Sequence, residues 1–319
     1  MSCDRCDTPA AYHMTYAGAH LCAEHLRRSV EKRVRRRIRR DELIPDTATP
    51  ADPVIWVIGL SGGKDSAVLA YILATTLGTD PRIELHGVAI HEGIAGYRDE
   101  SLAAARTLAD QLDIPLTVRS YPEEYGLAMD DVAADPAAEM APCAYCGVFR
   151  RDVLDRVADE LDADLLLTGH NLDDEAQTAM MNFLEGDINQ MAKHYRASLA
   201  PLPDRPSLDS FVPRAKPLRD VPEREVALFA TSASLPAHIA ECPHASEAFR
   251  GEIQTLLFDL EERHPGTRQS IMAGYESMAA TLAATTSFEP DDALSPCVAC
   301  GSMTTGETCR SCQLVEEVG

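Results

Sequence analysis

Lysine is scarce in this chain: four residues of 319 (Lys32, Lys64, Lys193 and Lys216), against 51 aspartates and glutamates. Lysine and arginine together number 29, so the formal charge is −22. That balance excludes capture of an anionic polymer by overall charge; such a partner has to be held by a local patch. The acids are spread along the chain, and a surface of that kind repels itself unless dense salt screens it. The expectation is a protein of a salt-rich cytoplasm. Aromatics make up 5% of the residues, with a single tryptophan, and the sequence singles out no residue for stacking on a base. No apolar run approaches the ~20 residues of a membrane helix. The opening MSCDRCDTPA has neither the basic start nor the apolar core of a secretory signal, so a cytoplasmic protein without membrane contact is expected.

Apolar residues are not short, at 45%, and the length suggests about two domains. VIWVIGL (54–60) is a continuous apolar run, as a buried parallel strand requires. A helix at 67–77, a strand at 83–91, a helix at 98–112 and a strand at 114–120 follow. Further on come a helix at 147–161, a strand at 164–170, a helix at 173–185, a short strand near 211–218 and a helix at 222–234. This alternation predicts an α/β fold with a doubly wound parallel sheet, whose ligands lie at the carboxyl ends of the strands. A proline-rich stretch at 198–213 reads as a loop and 247–262 as a helix. Near the N-terminus, residues 27–40 hold nine basic residues and one acid, a local +8 that leaves −30 elsewhere. Val30, Val34 and Ile38 recur there at helical spacing. The expected organisation is a zinc module at 1–26, a basic helix at 27–45, a nucleotide-binding domain at 53–262 and a second zinc module at 295–319.

Ten cysteines are many for a reducing compartment unless they bind metal. Cys297, Cys300, Cys309 and Cys312 form two CxxC pairs, enough to surround one zinc tetrahedrally. Cys3, Cys6, Cys22 and His25 form a comparable set, and metal would fold each short end. Cys143, Cys146 and Cys242 remain. Three thiolates can hold three irons of a [4Fe-4S] cluster and leave the fourth open. His244 completing a zinc site, a redox dithiol at Cys143 and Cys146, and three free cysteines with no special role are the other readings of the same spacing.

Ser61-Gly62-Gly63-Lys64-Asp65-Ser66 joins the first strand to a helix. Its glycines admit phosphate oxygens to backbone N–H groups, the helix start adds positive potential, and Lys64 supplies a charge. It is not a Walker A loop. Thr168-Gly169-His170-Asn171-Leu172-Asp173-Asp174-Glu175 ends the fourth strand and faces the same crevice. There Gly169 allows close approach, Asp174 offers a carboxylate to magnesium and ATP oxygens, and Asn171 or Asp173 makes a helix cap.

SGGKDS resembles the PP-loop of ATP pyrophosphatases. Together with GHNLDDE, the Cys143/Cys146/Cys242 set and both terminal knuckles, the whole chain resembles the tRNA 2-thiouridine synthetases of the TtuA/NcsA type. The resemblance implies that Leu60 to Ser66, Ile90, His91, Gly169 and Asp174 bind ATP, and that Cys143, Cys146 and Cys242 hold an oxygen-sensitive [4Fe-4S] cluster. Lys64, Asp174, Arg150 and the three cysteines become the catalytic set. Where many relatives carry Lys, this chain has Arg150, which stays protonated and points to an electrostatic role. The implied reaction adenylates the C2 oxygen of a tRNA uridine and replaces it with sulfur from a ubiquitin-like thiocarboxylate carrier. ATP, Mg2+, the cluster and two Zn2+ are the implied cofactors, and a homodimer is expected. The salt-adapted composition favours the wobble uridine over the T-loop uridine. The basic helix fits a polyphosphate partner. A 2-thiocytidine synthetase, a zinc-ribbon RNA-binding protein and a dithiol sulfurtransferase are the rival readings.

Overall fold

A computed structural model describes residues 1–186, 212–244, 249–285 and 295–319. Five parallel strands form the central sheet: β3 (Val54–Gly59), β4 (Ile83–His91), β5 (Leu116–Ser120), β6 (Leu165–Leu167) and β7 (Arg214–Ala215), in the spatial order β5-β4-β3-β6-β7. The chain runs outward from β3 through β4 to β5, then crosses back to β6 on the other side of β3. The carboxyl ends of β3 and β6 therefore flank the switch point where such sheets bind ligands. Both faces of the sheet are covered. Trp56 and Ile58 of β3 enter one core and Val57 enters the other, and all three are fully buried.

One covering layer holds α2 (Lys64–Leu77), α3 (Tyr97–Leu112) and α8 (Glu223–Ser232). The other face carries α4 (Tyr121–Tyr125), α5 (Met129–Ala134) and α6 (Pro142–Glu160). The strands are shorter than the sequence expectation at several ends. β6 stops at Leu167, because residues 168–170 turn toward the switch point, and β7 has two residues rather than a run over 211–218. Helix α6 starts five residues earlier than 147, with Pro142 in its first turn. Cys143 and Cys146 thus lie inside the helix, not ahead of it. The proline-rich stretch lies outside the described residues except for positions 212 and 213.

Helix α1 (Ala23–Arg40) is also longer than expected, beginning inside the first cysteine set with Cys22 as its N-cap. Leu26, Val30, Val34 and Ile38 are buried at a spacing of four, and α1 packs on α8 and α2. A hairpin of β1 (Tyr12–Met14) and β2 (Ala19–Leu21) precedes it. Beyond the sheet, α7 (Leu172–Leu184) packs against α9 (Phe249–Arg263) and α10 (Thr267–Thr285) around Ile253, Leu257, Met272 and Tyr275. The last segment forms β8 (Ser295–Pro296), β9 (Met303–Thr304) and α11 (Arg310–Val318). Leu314 of α11 is buried in the core beside α6, and Tyr145 of α6 donates its hydroxyl to Glu317. The C-terminal module thereby braces the helix that carries two of the unassigned cysteines.

Candidate active site

The loop after β3 closes on itself through its serines. Ser66 Oγ donates to the Gly63 carbonyl at 3.0 Å and lies 3.1 Å from Ser61 Oγ. Gly62 is at φ +80°, and a Cβ there would fall 1.8 Å from the Ser101 carbonyl oxygen, so the position admits only glycine. Gly63 is the N-cap of α2, leaving the free N–H groups of the first turn at the loop. Lys64 Nζ bonds Glu223 at 2.8 Å and Asp65 at 3.0 Å. Burial works against its charge, but these two carboxylates prevail and raise its pKa above the ordinary lysine value.

The segment after β6 meets this loop. A Cβ on Gly169 would lie 2.8 Å from the Asp65 carbonyl carbon and the Ser66 nitrogen, so the close approach this glycine permits is with the backbone of α2. Asn171 caps α7 and forms a reciprocal box with Asp174: the Asn171 N–H donates to Asp174 Oδ2 at 3.0 Å, and the Asp174 N–H donates to Asn171 Oδ1 at 3.2 Å. Asn171 Nδ2 then donates to Asp65 Oδ1 at 3.0 Å, joining cap to loop. Burial pushes the Asp174 carboxyl up to about 6; the Asn171 N–H opposes this and the charge of Asp65 adds to it.

On the other side of the loop lies a cavity of about 340 Å³. Ser61 and Gly63 line it, and so do Cys143, Cys146 and Cys242, with Arg150, Tyr97 and His238. Cysteines far apart in sequence are thus brought to one chamber by α6 and the segment after α8. All three cysteines are free thiols. Their sulfurs do not all gather within 4.8 Å of one another, whereas the donor atoms of each terminal set do. A single tetrahedral zinc holds sulfurs ~3.8 Å apart, given Zn–S of about 2.3 Å. His244, moreover, turns its Nε2 to Asp130 at 2.7 Å. The three sulfurs are therefore not arranged around one shared zinc.

Sequence reasoning missed the acid that organises this chamber. Glu92 follows β4, is 1% exposed, and pairs with Arg98 and with Arg150, the latter at 2.9 Å. Arg98 is 4% exposed and donates to the Ser61 carbonyl at 3.1 Å and to the Ile90 carbonyl. Arg150 donates to Cys146 Sγ at 3.1 Å. An unbroken chain of charges therefore runs from the phosphate loop to a cysteine. Against desolvation, the Glu92 carboxylate keeps Arg150 firmly protonated, while burial raises the Cys146 thiol despite Arg150. Leu60 and Ile90 are core residues, and neither Ile90 nor His91 lines the cavity. The His91 side chain turns instead to the Gly93 N–H at 3.1 Å and to Asp99 at 3.2 Å.

The terminal sets are tight. Cys22 Sγ lies 3.2 Å, and Cys3 and Cys6 Sγ 3.5 Å, from His25 Nδ1; Cys6 and Cys22 are 3.8 Å apart. At the other end, Cys297–Cys312 and Cys300–Cys309 stand 3.9 and 3.5 Å apart. The Cys309 N–H, 3.2 Å from Cys297 Sγ, pulls that thiol down to about 6. These donor sets and spacings fit one zinc each.

Comparison with known proteins agrees with this geometry. Residues 33–235 match a PP-loop domain family, and residues 2–27 match the N-terminal LIM domain of the 2-thiouridine synthetase TtuA. The chain is 59% identical over 318 residues to the tRNA 2-thiolation protein NcsA of Haloferax volcanii, covering 100% of this chain and 99% of the relative. It is 35% identical over 312 residues to the cytoplasmic tRNA 2-thiolation protein 1 of Caenorhabditis elegans, covering 98% of this chain and 79% of the relative. The solved structure of the U34-tRNA thiolase NcsA from Methanococcus maripaludis, with its [4Fe-4S] cluster, superposes with a TM-score of 0.81 at 33% identity, covering 100% of this chain and 97% of that one.

Proposed function

The chain belongs to the PP-loop tRNA 2-thiolation family, and on that premise we propose how this ATP-dependent tRNA sulfurtransferase works. The observation that carries the reading is the shared chamber, which Ser61 and Gly63 of the phosphate loop line together with Cys143, Cys146 and Cys242. The substrate is the wobble uridine, the sulfur donor is the thiocarboxylate of a ubiquitin-like carrier, and the protein acts in the cytoplasm as a homodimer. Its terminal cysteine sets each hold a Zn2+.

ATP phosphates settle against the first turn of α2, where free N–H groups and the helix field meet negative charge. Lys64 gives up Asp65 and Glu223 for the phosphates, a change of partner for a cation that is already desolvated. Asp65, once Lys64 releases it, and Asp174 would offer carboxylates to the accompanying Mg2+. The C2 oxygen of uracil, a poor leaving group, attacks the α-phosphorus; pyrophosphate leaves with its charge balanced by Lys64 and the loop. Sulfur then adds at C2, the C2–O bond breaks, and AMP departs. Cys143, Cys146 and Cys242 would hold a [4Fe-4S] cluster, which when bound keeps one iron free for a non-protein sulfur ligand. Arg150 stays a cation beside Cys146 and stabilises negative charge there without moving a proton.

The test is mass spectrometry of tRNA nucleosides from cells lacking the gene, complemented with wild type or with Cys242→Ala. Wobble 2-thiouridine derivatives vanish in the deletion, return with wild type, and stay absent with the variant, while the purified variant still binds tRNA. An unchanged nucleoside profile in the deletion overturns the reading.

A further inference from the structure

Adenylation at the C2 oxygen of uracil has a proton to dispose of. Uracil carries hydrogen on N3. When O2 bonds to phosphorus, the C2–N3 bond becomes double, and the N3 proton must leave for the product to be neutral. An acceptor beside the base, on the phosphate-loop side of the chamber, makes O2 a better nucleophile as the proton departs. Lys64 and Arg150 are protonated and cannot serve.

The aromatic residues lining the cavity are Tyr97, His238 and His244, and His244 is occupied by Asp130. Tyr97 opens helix α3 behind Gly96, whose φ of +75° makes the turn. Its ring meets that of His238 edge to face, with centroids 5.5 Å apart and planes at 69°. The backbone N–H of His238 donates to the Gly62 carbonyl at 2.8 Å, which fixes this residue to the phosphate loop itself. On its side chain, Nδ1 lies 3.2 Å from Glu100. A proton on Nδ1 directed at that carboxylate leaves Nε2 as an acceptor. Nε2 is buried and has no hydrogen-bond partner among the described residues. In this structure Nε2 is closed even to water, so the His238 ring, which lines the chamber, has to turn for its unpartnered nitrogen to meet a ligand.

We infer that Tyr97 and His238 form the subsite for the target pyrimidine: the Tyr97 ring packs on the base, and His238 Nε2 accepts the N3 proton as O2 attacks ATP. The inference rests on the adenylation proposed above. In that step the O2–phosphorus bond forms, the bond from phosphorus to pyrophosphate breaks, and the N3 proton passes to His238. When sulfur displaces AMP, that proton is available to return. The same arrangement selects uridine. Cytosine has a bare acceptor at N3, which would face the lone pair of Nε2, and a site whose polar group is left unpaired rejects the wrong base strongly. This speaks against the 2-thiocytidine reading.

The experiment is single-turnover pyrophosphate release from ATP by the full-length protein with unmodified tRNA, a half-reaction that contains no sulfur. His238→Gln and His238→Ala are compared with wild type at saturating ATP and tRNA. The expected result is a loss of about 100-fold or more in both, within the range of general-base catalysis, with tRNA Kd unchanged. Imidazole added to His238→Ala restores release, which a merely structural role does not allow. When the concentrations in the same single-turnover assay are varied, Tyr97→Leu instead raises the concentration for half-maximal release about tenfold, with a smaller change in the maximal rate. Release by either histidine variant within threefold of wild type, or a loss in His238→Ala that imidazole leaves untouched, overturns the inference. A wild-type protein that releases no pyrophosphate with tRNA overturns the adenylation reading instead, so the two failures are distinct.

Discussion

Glu92 stands between two guanidinium groups, and its neighbours explain why a carboxylate tolerates that depth. Arg98 and Arg150 both pair with it, and Arg98 also bonds two backbone carbonyls. Removing one member of a buried ion pair leaves the others uncompensated and costs about 3 kcal/mol or more. Glu92→Gln is therefore expected to lower stability by about 3 kcal/mol in urea unfolding and to reduce thiolation at least tenfold, because Arg150 loses its anchor beside Cys146. Wild-type stability in the variant would show that the pair carries no such load. None of this was legible in the sequence. Glu92 sits next to His91 in an ordinary strand-end context, and no spacing links it to Arg150, 58 residues on. Lys64, the serines and the glycines of the loop were legible, because phosphate chemistry demands those residue types in a contiguous run. His238 was not, because it is aligned with the loop only by a backbone bond from a distant segment.

At the scale of the element, α1 shows how far a pattern reaches. The repeat of Val30, Val34 and Ile38 identified the buried stripe, and all three are buried. At about 100° per residue, Lys32, Arg35, Arg36, Arg39 and Arg40 fall on the opposite face, and all five are exposed. Two other arginines are spent internally, a division that charge counting does not reveal. Arg33 pairs with Glu225 of α8, and Arg37 with Asp41 at 2.6 Å and Asp220 at 3.7 Å. The free face is thus a smaller cationic strip than nine basic residues imply, but it lies on the helix that backs α2 and α8. Replacing the five exposed residues with Gln is expected to weaken tRNA binding at least tenfold in low salt. It should also flatten the log–log salt dependence by about 0.7–0.9 for each phosphate the helix no longer neutralises, with thermal stability unchanged. Arg33→Gln and Arg37→Gln should instead lower the melting temperature. Equal binding by the five-fold variant would place the tRNA elsewhere. The start of α6 was misjudged for a related reason. Pro142 suits a first turn, but the small and polar residues after it carry no apolar period, so only packing against α5 and α11 reveals that the helix begins there.

For the whole molecule, the −22 charge is a statement about solvent. Self-repulsion opposes compaction and salt relieves it. Raising KCl from about 0.1 M to about 2 M is expected to raise the melting temperature by about 10 °C, roughly 3 kcal/mol for a domain of this size; an unchanged value in dilute buffer would remove the salt reading. The sequence by itself determined the layers, the phosphate loop and the two terminal metal sets, because strand and helix periodicity, loop chemistry and ligand spacing are local properties of a chain. The tertiary structure alone decided the chamber. It brought Cys242 to Cys143 and Cys146, threaded Glu92 between two arginines, and turned Tyr97 and His238 toward each other beside the phosphate loop. Those meetings depend on where β3 and β6 end and how the segments beyond them cross, and long-range closure of that kind leaves no periodic trace in the amino-acid order.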